Sequence, residues 1–188
     1  GNIVPFWLKN LFGKEQIYSA LTAICLGVVK NINLVEISQA LGTYESLPGK
    51  MRLIKGIKNS SVLDDSENAT LFSMIEGLEI LGKIEAEGRK IAVLGDVLGI
   101  GKYTIEAHET IGEKVVRVSG LLFTVGSRAR FIAQGAKNKG MPEQNIFQFD
   151  NVEEAKKALQ KEIKKGDLIL VDGSKEMKMG EIIEEIKA

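Results

Sequence analysis

The residues best suited to chemistry in this chain stand in three short polar segments, each directly after a run of apolar residues. They are Asp64-Asp65-Ser66-Glu67-Asn68, Gly95-Asp96-Val97-Leu98-Gly99-Ile100-Gly101 and Asp172-Gly173-Ser174-Lys175. Carboxylates and amides such as those of the first segment can hold ribose hydroxyls or a bound cation. The same positions can also start a helix, and capping by Asp65 or Ser66 is the plainer expectation. Glycines of the second segment allow close approach of a phosphate. The dinucleotide fingerprint is nevertheless broken, because Thr104 stands at its third glycine position and no acid follows the apolar run ending at Val125. A P-loop is also missing from this sequence: Asp96 occupies the leading glycine position, and Tyr103 follows Gly101-Lys102 where Ser or Thr is needed. Ser174 and Lys175 could bind a carboxylate or a phosphate. His108, the single histidine, is expected to be structural, and no Gly-x-Ser-x-Gly elbow supports a serine hydrolase.

These segments need elements to hold them, and the periodicity supplies an alternation. Residues 3–8 form a short apolar run that reads as a strand. Residues 17–29 read as a helix with apolar residues almost all round, which expects cover on several sides, and 34–41 as a shorter helix. Pro48-Gly49 punctuates a turn. Residues 51–57 and 61–65 read as paired strands around Lys58-Asn59-Ser60. Leu71, Met74, Ile75, Leu78, Leu81 and Ile84 share one helical face, with Thr70 as a natural N-cap. Residues 90–95 are a continuous apolar strand of the kind covered on both faces. Helices follow at 104–118, 127–139 and 178–187, and strands at 121–125, 146–149 and 167–171. Asn151 and Glu154 form a capping box for a helix that ends near Gly166. Strands alternating with helices predict an α/β domain with a mostly parallel sheet and flanking helices at residues 48–188. Residues 1–47 read as a short helical remnant of a second domain. In an open sheet of this kind ligands meet the carboxyl ends of the strands, which is where the three polar segments fall.

Composition narrows the class further. The 188 residues are 44% hydrophobic and 27% charged, ordinary for a globular protein. Zero formal net charge argues against nucleic acid or a membrane surface as a partner attracted by bulk charge. The basic run around residues 156–165 reads as a solvated helix face. No apolar run approaches the roughly 20 residues of a membrane span, and residues 1–7 lack signal-peptide order. Cys25, alone in its apolar stretch, is expected to be a buried structural thiol, and a single cysteine fits a reducing cytoplasm.

Taken in order, the polar segments resemble the Mur ligases. Pro48-Gly49-Lys50-Met51-Arg52 resembles the Pro-Gly-Arg-Met segment that opens their C-terminal domain. Leu63-Asp64-Asp65-Ser66-Glu67-Asn68-Ala69 with Ser73-Met74 resembles Leu-Asp-Asp-Ser-Tyr-Asn-Ala-Asn-Pro-x-Ser-Met of the branch that adds D-alanyl-D-alanine. Val93-Leu94-Gly95-Asp96-Val97, Gly101, His108 and Gly112 resemble its Val-Leu-Gly-Asp-Met-x-Glu-Leu-Gly…His…Gly run. Leu170-Val171-Asp172-Gly173-Ser174-Lys175 with Met179 resembles its Leu-Val-Lys-Gly-Ser-Arg…Met. Upstream, the stretch from Gly13 to Leu21 resembles a helix start near the end of the family's central ATPase domain.

The resemblance implies a Rossmann-like C-terminal domain at 48–188 and the end of the central domain at 1–47. It implies ATP and magnesium as cofactors, a UDP-linked muramoyl peptide and D-Ala-D-Ala as substrates, and an acyl phosphate between them. The P-loop and metal ligands of such enzymes lie upstream, so the chain alone is expected to be inactive, with no catalytic residue or metal ligand of its own. Lys50, Asp65, Ser66 and Asn68 correspond to nucleotide-binding positions, and Asp96, His108, Ser174 and Lys175 to the face that meets the incoming amine. Lys50 replaces an Arg, which keeps the charge and loses the bidentate fork. Glu67 replaces Tyr, Gly99 replaces Glu, and Asp172 replaces Lys, with the expectation that Asp172 sets a negative charge where an anionic substrate is met. The residues alone also leave open an autonomous nucleotide- or partner-binding module.

Overall fold

A computed structural model describes residues 3–67 and 69–188. The chain divides into two compact units, Gly1–Leu47 and Pro48–Ala188.

The first unit holds two helices, α1 (Lys14–Val29) and α2 (Leu34–Gly42). Asn33 caps α2 by accepting the Val35 N–H at 2.8 Å. Gly27 lets α2 come close, since a Cβ there would run into the side chain of Ile37. Little else is covered. Ala20 and Ile37 are buried, whereas Trp7, Ile17, Leu21, Leu26 and Val29 are exposed and Phe6 is half-buried. Two expectations fail here. Residues 3–8 form no strand: Pro5 has no N–H to donate, and a strand needs a partner ladder that this unit does not provide. Cys25 is exposed, because its position on α1 falls outside the narrow stripe that packs on α2.

The second unit is a six-stranded sheet in the order β1-β2-β6-β3-β4-β5. Its strands are β1 (Arg52–Lys55), β2 (Ser61–Asp65), β3 (Lys90–Gly95), β4 (Leu121–Val125), β5 (Ile146–Phe149) and β6 (Leu168–Asp172). All neighbours run parallel except β1, which pairs antiparallel with β2. The central strands β3, β4 and β6 are mostly apolar and buried on both faces, as helices on each side require. One face carries α6 (Val152–Glu162) and α7 (Gly180–Ile186), whose Leu159, Ile182 and Ile186 pack on Val93, Phe123 and Val171. Phe123 stacks on Phe147 with ring centroids 4.6 Å apart. The other helices are α3 (Leu71–Lys83), α4 (Thr104–Val115) and α5 (Arg130–Asn138). Gly112 of α4 faces the Ile132 carbonyl and Gly135 of α5 faces the Glu109 carbonyl, with no room for a Cβ at either, so these two helices cross backbone against backbone.

The amino ends of the strands are clamped by one ionic knot. Asp167, which is 1% exposed, accepts the Arg89 N–H at 3.0 Å, the Lys164 N–H at 2.8 Å and Arg89 Nη2 at 2.7 Å. Arg89 Nη1 also reaches Glu162 at 2.6 Å. Several helices end sooner than periodicity suggests. Helix α4 stops at Val115 and α6 at Glu162, after which Ile163 turns back into the sheet core. Among the described residues no helix is long and apolar enough to cross a membrane.

Candidate functional site

The carboxyl ends of β2, β3, β4 and β6 bring the polar segments together, and the backbone explains how. At the end of β2, two consecutive carboxylates reach back to the Pro48-Gly49 turn. Asp64 Oδ2 accepts the Gly49 N–H at 2.8 Å, and Asp65 Oδ1 accepts the Met51 N–H at 3.0 Å. Lys50 is held between these anchored neighbours. Gly49 has φ +71°, and a Cβ there would meet the Glu67 side chain, so only glycine fits the turn. Ser66 closes the arrangement by donating from Oγ to Asp64 Oδ1 at 2.7 Å. The expected capping by Asp65 or Ser66 is not what they do. Thr70 caps α3 through a reciprocal box with Ser73, and this frees both acids to hold the Lys50 segment. Asn68 lies outside the described residues.

Burial pushes the Asp65 carboxyl up from 3.8 to about 6, against the pull of the Met51 N–H and Lys50, with Asp64 and Glu76 adding to the rise. Asp172 is its registered neighbour on β6. The expected negative charge is not presented to a substrate: Asp172 is 0% exposed, and neither carboxyl oxygen has a hydrogen-bond partner. Burial, helped by the nearby Asp65, drives its carboxyl well above the usual range, with only the Gly173 amide pulling the other way.

Beyond β3 a second knot forms around Asp96. Its Oδ1 accepts the N–H groups of Arg128 at 2.9 Å and Ala129 at 2.7 Å, at the start of α5. Its carbonyl accepts the Ser174 N–H at 3.2 Å, and Ser174 Oγ in turn accepts the Leu98 N–H at 2.9 Å. His108 supports the same loop from α4. It is fully buried, with Nδ1 2.6 Å from the Thr104 carbonyl and Nε2 accepting the Val97 N–H at 3.1 Å. That pattern fixes the neutral tautomer with the proton on Nδ1. Burial lowers its pKa, and Arg128 adds to the fall against the Thr104 carbonyl and Asp96. Both ring nitrogens are used within the chain.

The site therefore sorts its expected residues into two kinds. Asp96 and His108 shape the loops. Lys175 is exposed and pairs loosely with Glu67 at 3.4 Å, linking the β6 loop to the β2 loop. An exposed pair of this kind contributes about 0–1 kcal/mol and gives way readily to a ligand. Sequence reasoning passes over Arg128, whose amide Asp96 holds and whose side chain is exposed beside the same loops. Its position just past the end of β4 is the signal that marks it. The arrangement offers cations at Lys50, Lys175 and Arg128 around a rigid strand-end edge, chemistry suited to phosphates and carboxylates.

Residues 49–175 match the family described as Mur ligase, glutamate ligase domain. Over 181 residues the chain is 29% identical to the UDP-N-acetylmuramoyl-tripeptide–D-alanyl-D-alanine ligase of Bacillus subtilis, a match spanning 94% of this chain and 38% of that protein. The enzyme of the same name from Buchnera aphidicola is 30% identical over 179 residues, spanning 94% of this chain and 37% of that protein. Among solved structures, MurF ligase from Thermotoga maritima in complex with ADP aligns with a TM-score of 0.74 at 20% identity, over 96% of this chain and 38% of that one. MurF from Acinetobacter baumannii aligns with a TM-score of 0.80 at 20% identity, over 92% and 38%. The chain thus spans well under half the length of these relatives. It belongs to the Mur ligase family.

Proposed function

Taking that membership as the premise, we propose that the chain is the C-terminal portion of an ATP-dependent, ADP-forming amide ligase of peptidoglycan-precursor synthesis, working in the cytoplasm. In this reading residues 48–188 close over a nucleotide held mostly by an upstream ATPase domain, of which residues 1–47 are the tail. The γ-phosphoryl group of ATP passes to the carboxylate of a UDP-muramoyl peptide and ADP is released. The amine of D-Ala-D-Ala then attacks the acyl phosphate, a C–N bond forms, phosphate leaves and the amine gives up a proton. Magnesium arrives with ATP. What this chain contributes is positioning and exclusion of water on closure.

Lys50 meets the phosphates, with Asp65 and Ser66 at the ribose side. Ser174 and Lys175 face the amine, and Lys175 exchanges Glu67 for the dipeptide carboxylate. Asp96 and His108 hold the loops that carry this face. The observation that carries the reading is the Lys50 segment, pinned between Asp64 and Asp65 at the strand ends of a domain that matches the family over residues 49–175. The exposed apolar residues of the first unit, Trp7, Ile17 and Leu21 among them, fit a surface made to be covered by a larger domain.

Calorimetry of ATP against the 188-residue chain, with and without D-Ala-D-Ala, tests this. No binding or millimolar binding supports a lid that depends on its partner domain. Micromolar binding would make the chain an autonomous nucleotide module and overturn the reading.

A further inference from the structure

At Asp65 and Asp172 two acids are buried side by side on adjacent strands, and one of them has no partner. The two residues are registered partners on adjacent parallel strands, 8% and 0% exposed. Asp65 has the Met51 N–H as a partner, and Asp172 has none for either oxygen. Their cover is α3 and Met51: a methyl group added at Gly77 would lie 3.2 Å from Met51 Cε and 3.4 Å from Asp172 Oδ2. Met51 is buried, yet it sits at φ +46°, a left-handed conformation unfavourable for a methionine. The loop that carries Lys50 is thus closed over an acid pair by a strained residue and a hydrogen bond to one member of that pair.

Buried polar groups without partners are rare and call for a reason. A cation is one candidate. Among the described residues, however, no group of three or more His, Cys, Asp or Glu is arranged to hold a metal ion. A proton is the alternative, because two carboxylates in one apolar space cannot both ionise cheaply. The other charged groups acting on Asp65 are Lys50, Asp64 and Glu76 of α3, and only Lys50 favours ionisation.

We propose that Asp172 is a positioning residue that keeps its proton at neutral pH, and that this proton holds Met51 and the Lys50 segment closed over the ends of β2 and β6. Loss of the proton places a second charge beside Asp65, and the charge draws water in by lifting Met51. The loop is then closed at neutral pH and opens in alkali. This concerns the chain by itself, so failure of the nucleotide reading leaves it standing, and its own failure leaves that reading intact.

The test is a carboxyl-carbon NMR titration of the whole 188-residue chain, with the Met51 amide shift followed in parallel. The expected result is an Asp172 carboxyl still protonated at pH 7, with the Met51 amide, which already responds near 6 to Asp65, moving a second time as Asp172 titrates. Folded Asp65 and Asp172 keep protons that the unfolded chain releases above 3.8, so the contribution of this pair to stability is full below that value. It declines as the pH climbs through about 6 for Asp65 and beyond that for Asp172. Each such proton lowers the folding equilibrium constant by up to about tenfold per pH unit. Asp172→Asn, which stays neutral and keeps the shape, flattens the decline above pH 6 and leaves the Met51 amide with the Asp65 step alone. Asp172→Leu removes the polar group and does not restore the wild-type amide position. An Asp172 that titrates in the ordinary aspartate range overturns the proposal, even if neither variant folds. So does an unchanged pH slope in Asp172→Asn. A shift of the Asp172 resonance at pH 7 on adding magnesium chloride alone makes the pair a cation site and overturns it as well.

Discussion

The two ends of this sheet bury aspartates in opposite ways. At the amino end Asp167 is surrounded by the Arg89 guanidinium and two backbone N–H groups, so every bond lost to water is replaced. At the carboxyl end Asp172 is equally buried, has no hydrogen-bond partner for either carboxyl oxygen, and feels only the pull of the Gly173 amide. Burial alone would raise both carboxyls. Around Asp167 the Arg89 and backbone hydrogen bonds outweigh it and hold the group below its usual range, whereas Asp172 is left high. One end is built for stability. The other tolerates an unsatisfied group beside flexible cations, the pattern expected where a fold keeps local strain for use.

Substitutions should separate the ends. The largest effect belongs to Asp167→Ala, which strands Arg89 and two amides and should cost about 3 kcal/mol in urea unfolding. The wild type should also lose stability as the pH falls below 3.8, because Asp167 is held ionised in the fold. A loss below 1 kcal/mol would remove the contrast. His108→Ala comes next, at about 2 kcal/mol, since it leaves the buried Val97 N–H unpaired and empties a fully buried position. The wild-type contribution of His108 is complete above 6.5 and is lost as the pH falls through its lowered folded value, so the deficit of the variant narrows in acid. Asp172→Asn should run the other way, gaining on the order of 1 kcal/mol at pH 8. A destabilisation there would mean that the carboxylate is compensated after all. Lys175→Gln should change stability by less than about 0.5 kcal/mol, because its pair with Glu67 is exposed.

Much of the sheet is legible in the sequence because its central strands are short apolar runs between glycines and polar turns. Strands β2, β3, β4 and β5 fall where those runs lie. Residues 3–8 look no different in isolation, but a strand exists only with a partner, and no local pattern reports one. The candidate residues are legible too, since strand ends can be counted. Their roles are not. That Asp64 and Asp65 hold the Lys50 segment depends on the turn at Gly49 folding back 15 residues. That Asp172 is buried beside Asp65 depends on β6 inserting between β2 and β3, an order set by the whole sheet.

Ligands are expected at the carboxyl end of the sheet. A rival exists at the other end, where a hollow of about 510 Å³ is lined by Leu53, Asn59, Ile84, Glu85, Glu87 and Lys165. Amide NMR of the 188-residue chain, titrated with magnesium ATP to millimolar excess, distinguishes them directly. Shifts are expected at Gly49, Lys50, Asp65, Ser66 and the Ser174-Lys175 loop, with Asn59, Glu85 and Lys165 unmoved. Shifts confined to Asn59, Glu85, Glu87 and Lys165 would contradict this expectation.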